Sequence, residues 1–307
     1  HYSVRGAIEA DVGENIMLTL RGDYRKANDD CCAEIIGTTP TNAGALALAG
    51  TGFNGSDSRN IRQNLVTATK EESWGIALQA DIALGEHSLT SITSYRGWDN
   101  TEIRDGDWLD RTYVGLNQLH DSGPQTSNTF SQEVRIASPT GQFLEYVIGA
   151  YYSKAESDRS FTRNVITCSA TTLAAVAPGL VPCSTTPGVS TITTPAGTAD
   201  FGSTFKNLSA FGQATLNLSD SLRLIGGLRY TRDTLDVNHI RRTTLAGPGV
   251  QGNFDAGVYN NGQVATLPAT GFVAGPSNGV PFTSSTKNNN LSGKAAIQAD
   301  LTENNMA

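Results

Sequence analysis

Six arginines stand in polar stretches of this 307-residue chain: Arg104, Arg111, Arg159, Arg163, Arg241 and Arg242. A guanidinium stays charged and presents a planar fork of donors, so these residues could hold an anionic ligand such as a metal chelate. Each also has the ordinary alternative of a solubilising surface charge. Asp105-Gly106-Asp107-Trp108-Leu109-Asp110 gathers carboxylates that could hold calcium through hard oxygen ligands. The spacing is not that of an EF-hand, and a solvated acidic turn competes with it. Cys31 and Cys32 are adjacent, while Cys168 and Cys183 flank a loop-like stretch and could form a bridge suited to an oxidising compartment. The histidines, His1, His87, His120 and His239, are scattered, with no pairing for a metal or a triad. Gly247-Pro248-Gly249-Val250-Gln251-Gly252 spells a dinucleotide fingerprint but lacks the strand before it and the helix after it. Gly275-Pro276-Ser277-Asn278-Gly279 spells a nucleophile elbow in an equally wrong context. No catalytic set emerges, so no enzyme, no resident cofactor and no nucleic-acid partner are expected.

The elements that position these residues read as strands. The net charge is −7 and the mean hydropathy is −0.25. No apolar run approaches the roughly 18 residues of a membrane helix. That leaves a soluble all-β protein or a transmembrane barrel, whose lipid-facing and lumen-facing side chains cancel in the average. Leu222, Leu224, Gly226, Leu228 and Tyr230 alternate with Arg223, Ile225, Gly227, Arg229 and Thr231. Before them, beyond the turn at Ser219-Asp220, Leu208 to Leu218 alternate with Asn207 to Asn217. The same unit recurs at Tyr2 to Ala10, Ile16 to Tyr24, Trp74 to Ile82, Ser88 to Arg96, Phe130 to Ile136, Leu144 to Tyr152 and Leu291 to Leu301. This predicts about nine antiparallel strands of roughly ten residues, the length a tilted strand needs to cross a bilayer.

The connections alternate between tight turns near 13, 85, 140, 219 and 303 and long segments at 26–71, 97–126, 155–203 and 233–288. Short periplasmic turns and long external loops are the habit of outer-membrane barrels. Aromatics sort accordingly. Tyr2, Tyr24, Trp74, Tyr95, Phe130, Tyr152 and Tyr230 sit at the long-loop ends on the apolar parity, where an interfacial girdle is expected. Phe205, on the polar parity of the seventh strand, breaks the rule. Arg5, Glu9, Arg21, Asp23, Glu133, Arg135, Arg223, Arg229, Lys294 and Asp300 occupy the polar parity, too many charges for a small dry interior. The fold expected is all-β, a transmembrane antiparallel barrel in the bacterial outer membrane with its long loops outside.

Thr129-Phe130-Ser131-Gln132-Glu133-Val134-Arg135-Ile136-Ala137-Ser138, followed by Leu144 to Tyr152, resembles a strand pair of TonB-dependent receptors. Asn207 to Gln213 running into Leu224 to Thr231, and Leu291-Ser292-Gly293-Lys294 before Asp300-Leu301-Thr302, are similar to further stretches of that family. The resemblance spans about two thirds of the chain and none of the loops. It implies a 22-stranded barrel with a plug domain inside, and TonB-energised uptake of a ferric siderophore, a cobalamin or an oligosaccharide. Residues 1–307 would then be part of the barrel, with the plug, the TonB box and further strands lying elsewhere. His1-Tyr2-Ser3-Val4 carries no signal-peptide pattern, which agrees with a piece of a longer protein. Lipid, lipopolysaccharide, TonB through the plug, and a small-molecule or metal-chelate ligand are the implied partners. A passive porin, or less readily an outer-membrane barrel enzyme, is the competing function.

Overall fold

A computed structural model of the chain describes residues 1–30, 63–107, 110–115, 117–170, 181–245, 279–302 and 305–306. Cys31, Cys32 and the Gly247–Gly252 motif lie outside them, as does the Gly275 motif apart from Gly279.

The alternating stretches fold as β1 (Tyr2–Val12), β2 (Ile16–Asp29), β3 (Ala68–Leu84), β4 (His87–Asp105), β5 (Asn117–Ala137), β6 (Leu144–Ala170), β8 (Ala196–Ser219), β9 (Leu222–Leu245) and β10 (Phe282–Thr302). Two short strands join them, β7 (Ser190–Thr193), which pairs with β6, and β11 (Asn305–Met306), which pairs with β10. All belong to one sheet, ordered β1-β2-β3-β4-β5-β6-β8-β9-β10-β11, and every pairing is antiparallel. Sequence neighbours are therefore sheet neighbours, as in a meander. Gly13, Gly85 and Gly141 take φ of 68°, 62° and 78° at three of the tight turns, a region that residues with a Cβ rarely enter.

Register decides which residues share a face, because a slip of one residue would exchange the faces. The pairing runs without a slip from Tyr2↔Lys26 to Val12↔Ile16, and from Leu144↔Leu216 to Asn164↔Ala196. Between β8 and β9 it shifts only at the two ends. Consequently the apolar sets of all nine long strands fall on one continuous face and the charged sets on the other.

The strands are longer than expected. β6 has 27 residues and β8 and β9 have 24 each, against the roughly ten that cross a bilayer. Much of each stretch expected as a long loop continues the ladder: β4 to Asp105, β6 to Ala170 and β9 to Leu245. Past the aromatic positions both faces turn polar, so hydropathy ceased to mark the strand while backbone pairing continued. Cys168, expected outside the strands, is accordingly part of β6.

No second layer covers the sheet among the described residues. Val4, Ile8, Leu228, Leu291 and Ile297 stand on the apolar face at 65–70% exposure. Of the described apolar residues, Ala27, Tyr113, Val165 and Cys168 are buried, the last three far beyond the aromatics. Cys168 bridges Cys183 at 2.10 Å, and Val114 N–H bonds Val181 O while Cys183 N–H bonds Thr112 O, so residues 181–183 are strapped to residues 112–114.

Candidate functional site

The aromatic residues form a band along one face. Tyr24 is the register partner of Trp74, and Tyr95 of Phe130. Ring contacts fill the steps between, with centroids 5.8 Å apart for Tyr2–Tyr24, 5.5 Å for Trp74–Tyr95 and 6.3 Å for Phe130–Tyr152. Tyr152 then opposes Leu208, and Ala210 opposes Tyr230. Trp74 lies across Gly97, where a Cβ would stand 2.6 Å from the indole nitrogen, so the missing side chain makes room for the ring. Phe205 breaks the band on β8 and sits on the polar face.

Below the band, toward the tight turns, the polar face carries ion pairs between strands. Arg96 makes two hydrogen bonds to Asp23, at 2.7 and 3.0 Å, reaching across Gly75. Arg223 of β9 meets Asp300 of β10 at 3.0 Å, and within β5 Arg135 meets Glu133 at 3.2 Å. These side chains remain partly exposed, so each pair contributes no more than about 1 kcal/mol.

Beyond the band the polar face gathers three of the six arginines. Arg104 of β4, with Arg159 and Arg163 of β6, lines a cavity of about 120 Å³ whose wall includes Glu102, Asp121 and Phe161. Arg163 holds Asp121 through two bonds, Nε to Oδ1 at 2.7 Å and a terminal nitrogen to Oδ2 at 2.6 Å. Arg159 lies 3.7 Å from Glu102. Both guanidinium groups stand 5.6 Å from the Phe161 ring centre, in cation–π range. On the same face Arg159 opposes Phe201, Phe201 opposes His239 and His239 opposes Phe282. The Phe201 and His239 rings are stacked at 4.6 Å. Burial pushes the His239 imidazole below its usual value, aided by the Arg241 guanidinium, so the ring is neutral at pH 7. Phe201 and Phe282, 45% and 43% exposed, face this charged surface rather than a core.

The other arginines are elsewhere. Arg241 shares the polar face near His239. Arg242 points to the opposite face, bonding Asp200 at 2.6 Å, and Asp200 also accepts the Ser160 hydroxyl at 2.8 Å. Arg111 stands 3.6 Å from Asp110 and is 61% exposed. Phe161 and Phe201 stand out in no sequence motif, and His239 stands there only as one of four scattered histidines. Their signal was parity: extending the alternation past the aromatic band places all three on the charged face.

The acidic stretch divides. Asp110 accepts the Tyr113 hydroxyl at 2.6 Å, whereas Asp105 and Asp107 turn toward His120.

No family model matches the chain, and no curated protein matches it in sequence. Solved structures match by fold. The ferric yersiniabactin uptake receptor FyuA of Yersinia pestis aligns over 98% of this chain and 35% of its own, with 12% identity and a TM-score of 0.60. The ferric-catecholate import receptor Fiu of E. coli K12, in its closed form, aligns over 99% and 41%, with 14% identity and a TM-score of 0.59. The siderophore receptor PiuA of Acinetobacter baumannii aligns over 98% and 40%, with 14% identity and a TM-score of 0.54. The chain thus spans well under half the length of these receptors. Its ladder of long antiparallel strands, apolar on one face and charged on the other, has the fold of a stretch of an outer-membrane receptor barrel.

Proposed function

We propose that residues 1–307 form part of the barrel wall of a TonB-dependent outer-membrane receptor that takes up a scarce solute, with an anionic metal chelate such as a ferric siderophore fitting best. The apolar face facing lipid and the polar face lining a wide lumen carry this reading. Exposed Val4, Ile8, Leu228, Leu291 and Ile297 would destabilise a sheet in water, whereas hydrocarbon stabilises them. The band of Tyr2, Tyr24, Trp74, Tyr95, Phe130, Tyr152 and Tyr230 then marks the outer lipid–water interface. On the lumen side, Arg104, Arg159 and Arg163 beside Phe161 offer an anion both charge and a flat apolar contact. Arg242 and Arg111, displaced from that wall, fit lipopolysaccharide phosphates better than the solute.

Growth of a strain lacking this receptor, on candidate chelates with TonB present or deleted, tests the reading. Loss of growth in both the receptor and the TonB deletions is expected. Uptake that persists without TonB identifies a passive pore instead. Arg159→Gln should weaken solute binding by about tenfold, the scale of one charge-assisted bond, without loss of folded receptor.

A further inference from the structure

The tip of the β4–β5 hairpin assembles a mixed nitrogen–oxygen donor set that the acidic stretch alone does not contain. Asp105 and His120 are register partners on the last rung of the two strands. One step further, Gly106 N–H bonds Leu119 O at 2.8 Å, and Leu119 N–H donates to the Asp107 carboxylate. These bonds fold Asp107 back onto the rung. One ligand atom from each of Asp105, Asp107 and His120 then lies within 4.8 Å of the other two. The set is shielded: Asp105 is fully buried and Asp107 is 8% exposed.

Further contacts fix the donors. Leu65 N–H and Asp107 N–H each approach Asp105 at 3.3 Å, through different carboxylate oxygens. These are among the contacts Asp105 makes, and an ionised carboxylate, with about four lone-pair sites, can accept N–H donors and ligate a cation at once. His120 Nε2 lies 3.0 Å from the Asn64 side-chain oxygen. An amide oxygen there accepts Nε2–H, the tautomer that leaves Nδ1 with its lone pair. This outer contact is the kind that orients metal-ligating histidines.

We infer that Asp105, Asp107 and His120 form a binding site for a borderline divalent transition-metal ion, zinc above all, with water completing the shell. The donor chemistry decides the ion. Calcium takes six to eight oxygens and does not favour imidazole, and a fully buried Asp105 leaves little room for the waters it would need. Zinc accepts two carboxylates and an imidazole in a four-coordinate shell at about 2.0–2.2 Å, which small side-chain rotations reach from the present spacing. The ion clips the tip of β4 to the start of β5, next to the rung where Arg104 opposes Asp121.

The test uses the full-length receptor in detergent, stripped with chelator, loaded separately with Zn2+, Mn2+ or Ca2+, and desalted before elemental analysis. About one Zn2+ per chain should be retained by the parent and lost from Asp107→Asn and from His120→Ala. Equal zinc retention in parent and variants overturns the site, as does preferential retention of Ca2+. Should the variants misfold, Co2+ loaded into the parent decides. Visible d–d absorption of a low-coordinate nitrogen–oxygen site, displaced by Zn2+, supports the inference, and a spectrum of hydrated Co2+ alone refutes it.

Discussion

Single side chains act through the face on which they stand. Gly226 is on the apolar face, with nothing within 4 Å of the position its Cβ would occupy, so an arginine there fits sterically but is driven into lipid. Gly226→Arg should cost about 2–4 kcal/mol near mid-depth. Arg223→Gln on the polar face loses only its partly exposed pair with Asp300, no more than about 1 kcal/mol. Denaturant titration of the protein refolded into vesicles measures both, and equal losses would mean the faces are misassigned. Asp200 gives a pH prediction. Its hydrogen bond from Ser160 and the neighbouring Arg242 guanidinium hold its carboxyl below the usual carboxylate range. A depressed folded value stabilises above the unfolded value near 3.9 and is lost as pH falls through the folded one. Amide exchange in residues 196–204 should therefore be flat from neutral pH down to about 4 and rise, beyond its intrinsic pH dependence, only in stronger acid. Asp200→Asn should abolish that acid step.

At the scale of elements, the strands outrun the membrane and carry the distal structure as extended hairpins. Cys168 near the end of β6 and Cys183 close a loop with a sequence separation of 15, for which the chain-entropy effect is about 3 kcal/mol. That effect is local, because the strap it secures, residues 181–183 on 112–114, lies far from the aromatic band. Cys168→Ser with Cys183→Ser should expose residues 110–115 to protease while leaving the membrane-embedded ladder resistant. Loss of the whole barrel in the double variant would show that the bridge is needed for folding rather than for the strap.

Across the described ladder, a register that shifts between the long strands only at the two ends of the β8–β9 pairing makes nine separate alternations into two faces. Leu228, 65% exposed on the apolar face, and its sequence neighbour Arg229, on the polar face over Phe211, should report opposite environments. With Cys31 and Cys32 replaced by serine, a polarity-sensitive thiol dye at Leu228→Cys should emit to the blue and be quenched by brominated lipid. The same dye at Arg229→Cys should do neither. Similar quenching at both positions would refute a two-faced wall.

The sequence by itself determined the nine long strands, the tight turns near 13, 85, 140 and 219, and the faces, because alternation, turn-forming residues and aromatic placement are local signals. The turn expected near 303 lies outside the described residues. The sequence could not show where the strands end, since beyond the aromatic band hydropathy no longer alternates while backbone pairing continues at no cost in side-chain burial. Nor could it choose among the six arginines. Arg104 is 55 residues from Arg159, and only the register of β4 with β5 and of β5 with β6 brings them to one cavity. His120 joined Asp105 and Asp107 for the same reason: cross-strand partners are set by where a hairpin folds back, and no spacing along the chain records that.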